Sequence, residues 1–170
     1  LNYKSINYEF LSEFPEFDKS YKLFFADNDV AEEEFQYIFY EGLVVHILEI
    51  LLDMKDNHKR NELLFRFFSL VERMITSNDD DIVNLVVIAF FEYRRPEWIA
   101  MASEYMSQTL KKIVEEGMPI WGSWFDHNNE LAQKYILSDS YGIRDDLFSI
   151  FKEYGFSLQD IPHNYAITYR

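Results

Sequence analysis

Residues 59–93 read KRNELLFRFFSLVERMITSNDDDIVNLVVIAFFEY, and their pattern decides the fold. Leu63, Leu64, Phe67, Phe68, Val71, Met74 and Ile75 recur at the three- and four-residue spacing that places side chains on one face of an α-helix. Glu62, Arg66, Ser69 and Arg73 fall on the other face. Ser77-Asn78 interrupts the pattern, which resumes with Ile82, Leu85, Val86, Ala89 and Phe90 as a second inner stripe. Val83, Val87 and Phe91 widen that stripe, so the second helix, about residues 79–93, is expected to be buried on more than one side. At the join stand Asp79, Asp80 and Asp81. A carboxylate at a helix start accepts from free backbone N–H groups and faces the positive end of the helix dipole. The stretch therefore reads as two apolar helices joined by a tight acidic turn, an αα-hairpin.

The same periodicity extends outward. Ser5 can cap a helix to about Phe14 that carries Ile6, Phe10, Leu11 and Phe14 on one face. Pro15 suits the first turn of a second helix, which buries Phe17, Tyr21, Phe24 and Phe25. Asp27-Asn28-Asp29 reads as a turn. Glu32, Glu33 and Glu34 then favour a new helix start. That helix is expected to run to about Lys55 with a break near Gly42, burying Phe35, Ile38, Phe39, Leu43, Ile47, Ile50 and Leu51.

After Arg94-Arg95, Pro96 opens a further helix that reaches Glu116 with a break midway and carries Trp98, Met101, Ala102, Tyr105 and Leu110. Gly117 and Pro119 predict a stop, and residues 118–127, with Trp121, Trp124 and Phe125, read as a loop. Two short helices, residues 128–137 and 143–154, follow, the second ended by Gly155. The expectation is a single all-α domain over residues 1–170, with about seven or eight helices and the hairpin at its centre. Sixteen Phe and twelve Tyr against five Gly and four Pro supply a large aromatic core and too few turn residues for a β-meander.

Composition narrows the partners. Thirty acidic residues face sixteen basic ones, a formal net charge of −14. Such a chain lacks the basic face that a nucleic-acid backbone or an anionic membrane surface requires. A basic protein partner fits, because complementary fields steer association. The chain has no cysteine, which excludes disulfides, thiol nucleophiles and zinc–thiolate sites and fits the cytoplasm. Its first residues show no signal-peptide core, and no apolar run approaches the roughly 20 residues of a membrane span.

Catalytic and metal motifs are missing. Three consecutive helical aspartates point in three directions, so Asp79–Asp81 suits capping better than a metal. The Asp27-Asn28-Asp29 segment fails as a calcium loop, since Glu32 stands where glycine is needed and Ile38 where the closing glutamate belongs. His46, His58, His127 and His163 have no helical metal-site spacing, and His46 reads as a near-core residue with a hydrogen-bond partner. Asp126-His127, next to the aromatic loop, is the only acid/base pair worth naming, and neither a nucleophile elbow nor a phosphate-binding glycine loop accompanies it. No catalytic residue, metal or cofactor is expected. Partner contact falls to Asp27, Asp29, Glu32, Glu33, Glu34, Asp79, Asp80 and Asp81 as steering charge, and to Trp121 or Trp124 as an aromatic anchor. The alternative for both tryptophans is that their segment folds back and plugs the core.

Asn61–Arg95, with its apolar helix, aspartate turn, Ile82-Val83 and periodic Leu85, Ala89 and Phe90, resembles a HEAT-like helical hairpin. Asn84 replaces the basic residue usual after the valine, and no fixed period repeats along the chain, so a regular solenoid is not implied. Glu9–Phe25, with its Phe14-Pro15-Glu16-Phe17 step, together with this hairpin resembles small acidic bacterial proteins found beside polymorphic toxin genes. Those are immunity proteins that bind and neutralise a cognate toxin. The resemblance lies in pattern, size and charge. It implies stoichiometric binding of a basic toxin domain and transfers no functional residue. A helical scaffold for another protein and a carboxylate-based enzyme are the other two readings.

Overall fold

A computed structural model describes residues 1–27, 36–92, 94, 96–121, 151–153, 155 and 156, with the side chains of residues 23–27 left aside. The described residues form α1 (Ile6–Glu13), α2 (Asp18–Asp27), α3 (Gln36–Phe39), α4 (Val45–Asp53), α5 (His58–Ile75), α6 (Asp80–Val86), α7 (Pro96–Ser103) and α8 (Gln108–Trp121). They contain no strand, and the chain folds as one all-α domain. No helix among them is long and apolar enough to cross a membrane.

The central hairpin forms where the pattern placed it, and α5 and α6 pack together across the aspartate turn. Asn57 caps α5, its Oδ1 accepting from the Arg60 N–H at 3.0 Å. Asp79 caps α6, its Oδ1 accepting from the Asp81 N–H at 3.1 Å. At the N-terminus the cap lies earlier than expected. Asn2 accepts from the Lys4 N–H and opens a 3-10 turn, Tyr3–Ser5, while the Ser5 hydroxyl donates to the Asn2 carbonyl instead of capping α1.

Two π-helical turns depart from the sequence pattern: Tyr40–Val44 joins α3 to α4, and Val87–Glu92 extends α6. The break expected near Gly42 is thus a widened turn in a continuing helix. Each such turn holds an extra residue, which rotates the flanking faces by about 100° relative to each other. Ile38, assigned to the buried face, is half-exposed, because Gln36, Phe39, Tyr40 and Leu43 form the inner stripe at ordinary helical spacing; Gln36 donates from Nε2 to the Tyr3 carbonyl. Phe39, Leu43, Ile47, Ile50 and Leu51 are buried as expected. The expected turn at 28–29, the helix start at Glu32–Glu34, Phe35, the helix at 128–137 and the tail after residue 156 lie outside the described residues.

The stop expected at Gly117 is overturned, because α8 continues through Pro119 to Trp121. A Cβ on Gly117 would collide with the Trp121 indole, and that ring stacks on Phe91 at 5.7 Å. Packing of the last turn thus compensates for the missing proline N–H.

The core is built from stacked aromatic rings. Phe10 meets Phe14, Phe17, Phe39, Tyr40 and Phe67 at centroid distances of 5.0–6.3 Å. Phe151, from the short helical stretch 151–153, meets Phe17 at 5.9 Å and is fully buried. Gly155 ends that stretch at φ 93°, with its N–H donating to the Lys152 carbonyl and the Phe156 N–H to the Phe151 carbonyl. Contact between the Phe151 and Phe156 rings at 5.6 Å completes a Schellman cap.

Among the described residues Tyr40 is the one hydroxyl-bearing ring with no exposure, and its OH donates to the Ile6 carbonyl at 2.9 Å. Burial, with a smaller contribution from Glu9, pushes its phenol well above the ordinary 10.0. A raised phenol contributes stability in full while both states stay protonated, and loses it as pH rises above the unfolded value. Tyr40→Phe is therefore expected to cost about 1–2 kcal/mol at neutral pH. It should also remove an alkaline decline of up to about 1.4 kcal/mol per pH unit. Urea unfolding of both proteins between about pH 8 and pH 11 measures both effects.

Candidate functional site

The acidic join becomes a surface through long-range contacts. Asp79 uses both oxygens: Oδ1 caps α6, and Oδ2 accepts from the Tyr3 N–H at 3.2 Å, which ties the N-terminal turn to the hairpin. Asp80 and Asp81 are exposed. Beside them the rings of Tyr3 and Tyr37 lie 6.5 Å apart and tilted by 56°. Both phenols are raised above 10.0, first by burial. For Tyr3 the further causes are Tyr37, Asp81 and Asp79, and for Tyr37 they are Asp81 and Glu41. Both tyrosines thus keep their proton beside the carboxylates. Among the described residues no lysine or arginine pairs with Asp79, Asp80 or Asp81. The edge is a set of exposed carboxylates flanking two half-buried rings, suited to a cationic, partly apolar surface.

The other expected contact residues separate. Asp27 ends α2, and Asp29, Glu32, Glu33, Glu34 and Trp124 lie outside the described residues. Trp121 is half-buried at the end of α8 and stacked on Phe91, the packing that the core-plug alternative expects. It is not brought to the aspartate edge by any described contact.

A second polar group has no counterpart in local sequence. Glu49 on α4 accepts from Arg94 Nη1 at 2.7 Å and lies 3.4 Å from His46 Nδ1. Arg94 also donates to the Ala89 carbonyl at 3.1 Å, and its guanidinium sits 5.4 Å from the Trp98 ring. Burial lowers the Arg94 pKa, while Glu49 and Glu41 oppose that shift. Burial alone raises Glu92. Arg94 Nε and Trp98 Nε1 are buried without an acceptor among the described residues. The group clamps α4 to the end of the second π-helical turn, and His46 finds the partner expected of it. The described residues hold no cluster of three or more His, Asp or Glu placed to bind a metal.

Sequence reasoning missed Tyr3 and Tyr37 because neither is adjacent to the triplet in the chain. The only available signal was the pairing of an apolar N-terminal turn with an acidic join, and that pairing is set by packing.

The model of one protein family, described as Domain of unknown function (DUF7674), matches residues 8–122. No curated protein and no solved structure matches the chain. The core reaches beyond the matched span on both sides: Ile6, Phe151 and Phe156 are buried in it.

Proposed function

We propose that this chain, which belongs to the DUF7674 family, is an immunity protein: a binding domain that neutralises a bacterial toxin by stoichiometric association with a basic surface of that toxin. The observation that carries the reading is the edge where Asp79, Asp80 and Asp81 stand beside Tyr3 and Tyr37 with no intramolecular cation among the described residues. Carboxylates with no cation partner among the described residues, on a chain of net charge −14, raise the rate of encounter with a basic partner. Such a surface suits a basic cleft of the kind a nuclease uses for a phosphate backbone.

The test uses Asp80→Asn with Asp81→Asn and leaves Asp79, which caps α6, in place. The partner is an inactivated toxin domain captured in a one-to-one complex that releases as salt is raised. Stopped-flow association at low salt is expected to slow by about three- to tenfold in the double variant, with a shallower dependence on ionic strength. Unchanged rates across the salt series would remove the electrostatic mechanism. Capture of a partner that only denaturant releases would favour a scaffold for another protein.

A further inference from the structure

On α5 one large apolar residue breaks the amphipathic pattern. Phe65 lies on the outer face with Glu62 and Glu72, three residues before it and seven after, and is 55 % exposed. It is not an isolated ring. Its neighbour is Tyr105, from the turn after α7, in an edge contact at 5.2 Å. Tyr105 is held firmly: its hydroxyl accepts from Arg60 Nη1 at 2.7 Å and donates to Asn61 Oδ1 at 3.1 Å. Arg60 is itself buried and fixed on the carbonyls of Leu51 and Leu52. Met101, four residues before Tyr105, is 41 % exposed on the outer side of α7. Glu97 precedes it by four residues, Glu104 follows it by three, and both are exposed. Glu62, Glu72, Glu97 and Glu104 pair with no cation among the described residues.

We infer that Phe65, Tyr105 and Met101 form the desolvated anchor of the interface, and that its occupant is a basic amphipathic segment of the partner protein, with large apolar side chains on the rings and lysine or arginine on the glutamates. The inference rests on the proposed binding of a basic protein and adds where that partner is held. An exposed ring packed on a neighbour that hydrogen bonds hold in place loses little further freedom on binding, which is the property of interface hot spots. The acid rim selects charge, and the methionine adapts to the shape of the incoming side chain. The aspartate edge lies beyond the opposite end of α5, so steering and anchoring occupy different parts of the surface.

The two roles separate kinetically, because charge sets association and a desolvated anchor sets dissociation. The probe is a fluorescein-labelled helical peptide of leucine and lysine in amphipathic order, with a control in which serine replaces every leucine. Full-length protein is expected to bind the leucine peptide at least about tenfold more tightly than the control. Phe65→Ser should raise the dissociation rate about tenfold while association changes by less than about twofold. Met101→Ser should do the same to a smaller degree, and Phe65→Trp should keep wild-type dissociation. Phe65 is half-exposed, so the fold survives its replacement, and urea midpoints verify that. Unchanged dissociation in Phe65→Ser, with binding weakened instead by Asp80→Asn and Asp81→Asn, would overturn the anchor and leave the binding function standing. Equal affinity for both peptides would overturn the anchor as well. No binding of either peptide by the wild-type chain would overturn the anchor, while the proposed toxin binding is decided by the captured complex.

Discussion

Arg60→Leu is expected to lower the unfolding free energy by about 3–5 kcal/mol. The residue reads as one more polar position at the start of α5, yet it is only 8 % exposed. Its Nε donates to the Leu51 carbonyl at 2.6 Å and its Nη2 to the Leu52 carbonyl at 2.9 Å. Those carbonyls belong to the last turn of α4, where a helix has no internal donors left to offer. The remaining nitrogen, Nη1, holds Tyr105 and Asn61. One guanidinium thus satisfies the end of α4, the start of α5 and the turn between α7 and α8. Leucine fills part of the volume and leaves two buried carbonyls unpaired, each costing about 1–3 kcal/mol. Asp56, the charge partner at 3.6 Å, is largely exposed and contributes little to the loss. Thermal unfolding should fall by about 10 °C for a chain of this length. Arg60→Lys should recover less than half of the loss, since an ammonium cannot reproduce the planar fork. A loss below about 1 kcal/mol for Arg60→Leu would mean that water replaces the guanidinium at both carbonyls.

Phe10→Ala is expected to cost about 3–5 kcal/mol, through lost transfer energy and the cavity left behind. Phe10 is fully buried, and five aromatic rings surround it, two from the turn after α1 and one each from α3, the first π-helical turn and α5. Two of these contacts, with Phe39 and Tyr40, are edge-to-face at 76°, an orientation that adds to area burial. Because the rings come from separate elements, no single neighbour can shift to fill the space. Phe10→Leu should cost about 1–2 kcal/mol, since most of the volume remains. Urea unfolding with near-ultraviolet circular dichroism measures the cost and reports whether aromatic packing persists. A domain commonly holds about 5–15 kcal/mol in reserve, so Phe10→Ala should fold but melt early. A cost below about 1.5 kcal/mol would show that the ring cluster relaxes around the cavity.

The expected surface was legible only in its charges. Asp79–Asp81 stand out because a helix join needs a cap and tolerates charge, both of which are local requirements. The rings beside them come from Tyr3 and Tyr37, brought there by the Asp79–Tyr3 hydrogen bond and by Gln36 on the Tyr3 carbonyl. Phe65 was visible as a letter in the helix pattern, but its meaning depends on Tyr105, forty residues away in the chain. Arg94 and Glu49 are similarly remote, and nothing in either neighbourhood announces their pairing.

The sequence by itself determined the helical class, the hairpin at residues 59–93, its acidic cap, the buried stripe of α5 and the closing role of Gly155. Each follows from the periodicity of burial or from the backbone needs of a helix end, which act over a few residues. Only the tertiary structure decided the two π-helical turns, the exposure of Ile38, the continuation of α8 through Pro119, and the clamps made by Arg60 and Arg94. These depend on which helices dock and at what offset. An inserted residue, a prolonged turn or a buried guanidinium is stable only when a distant face supplies the packing or the acceptors that repay its local cost.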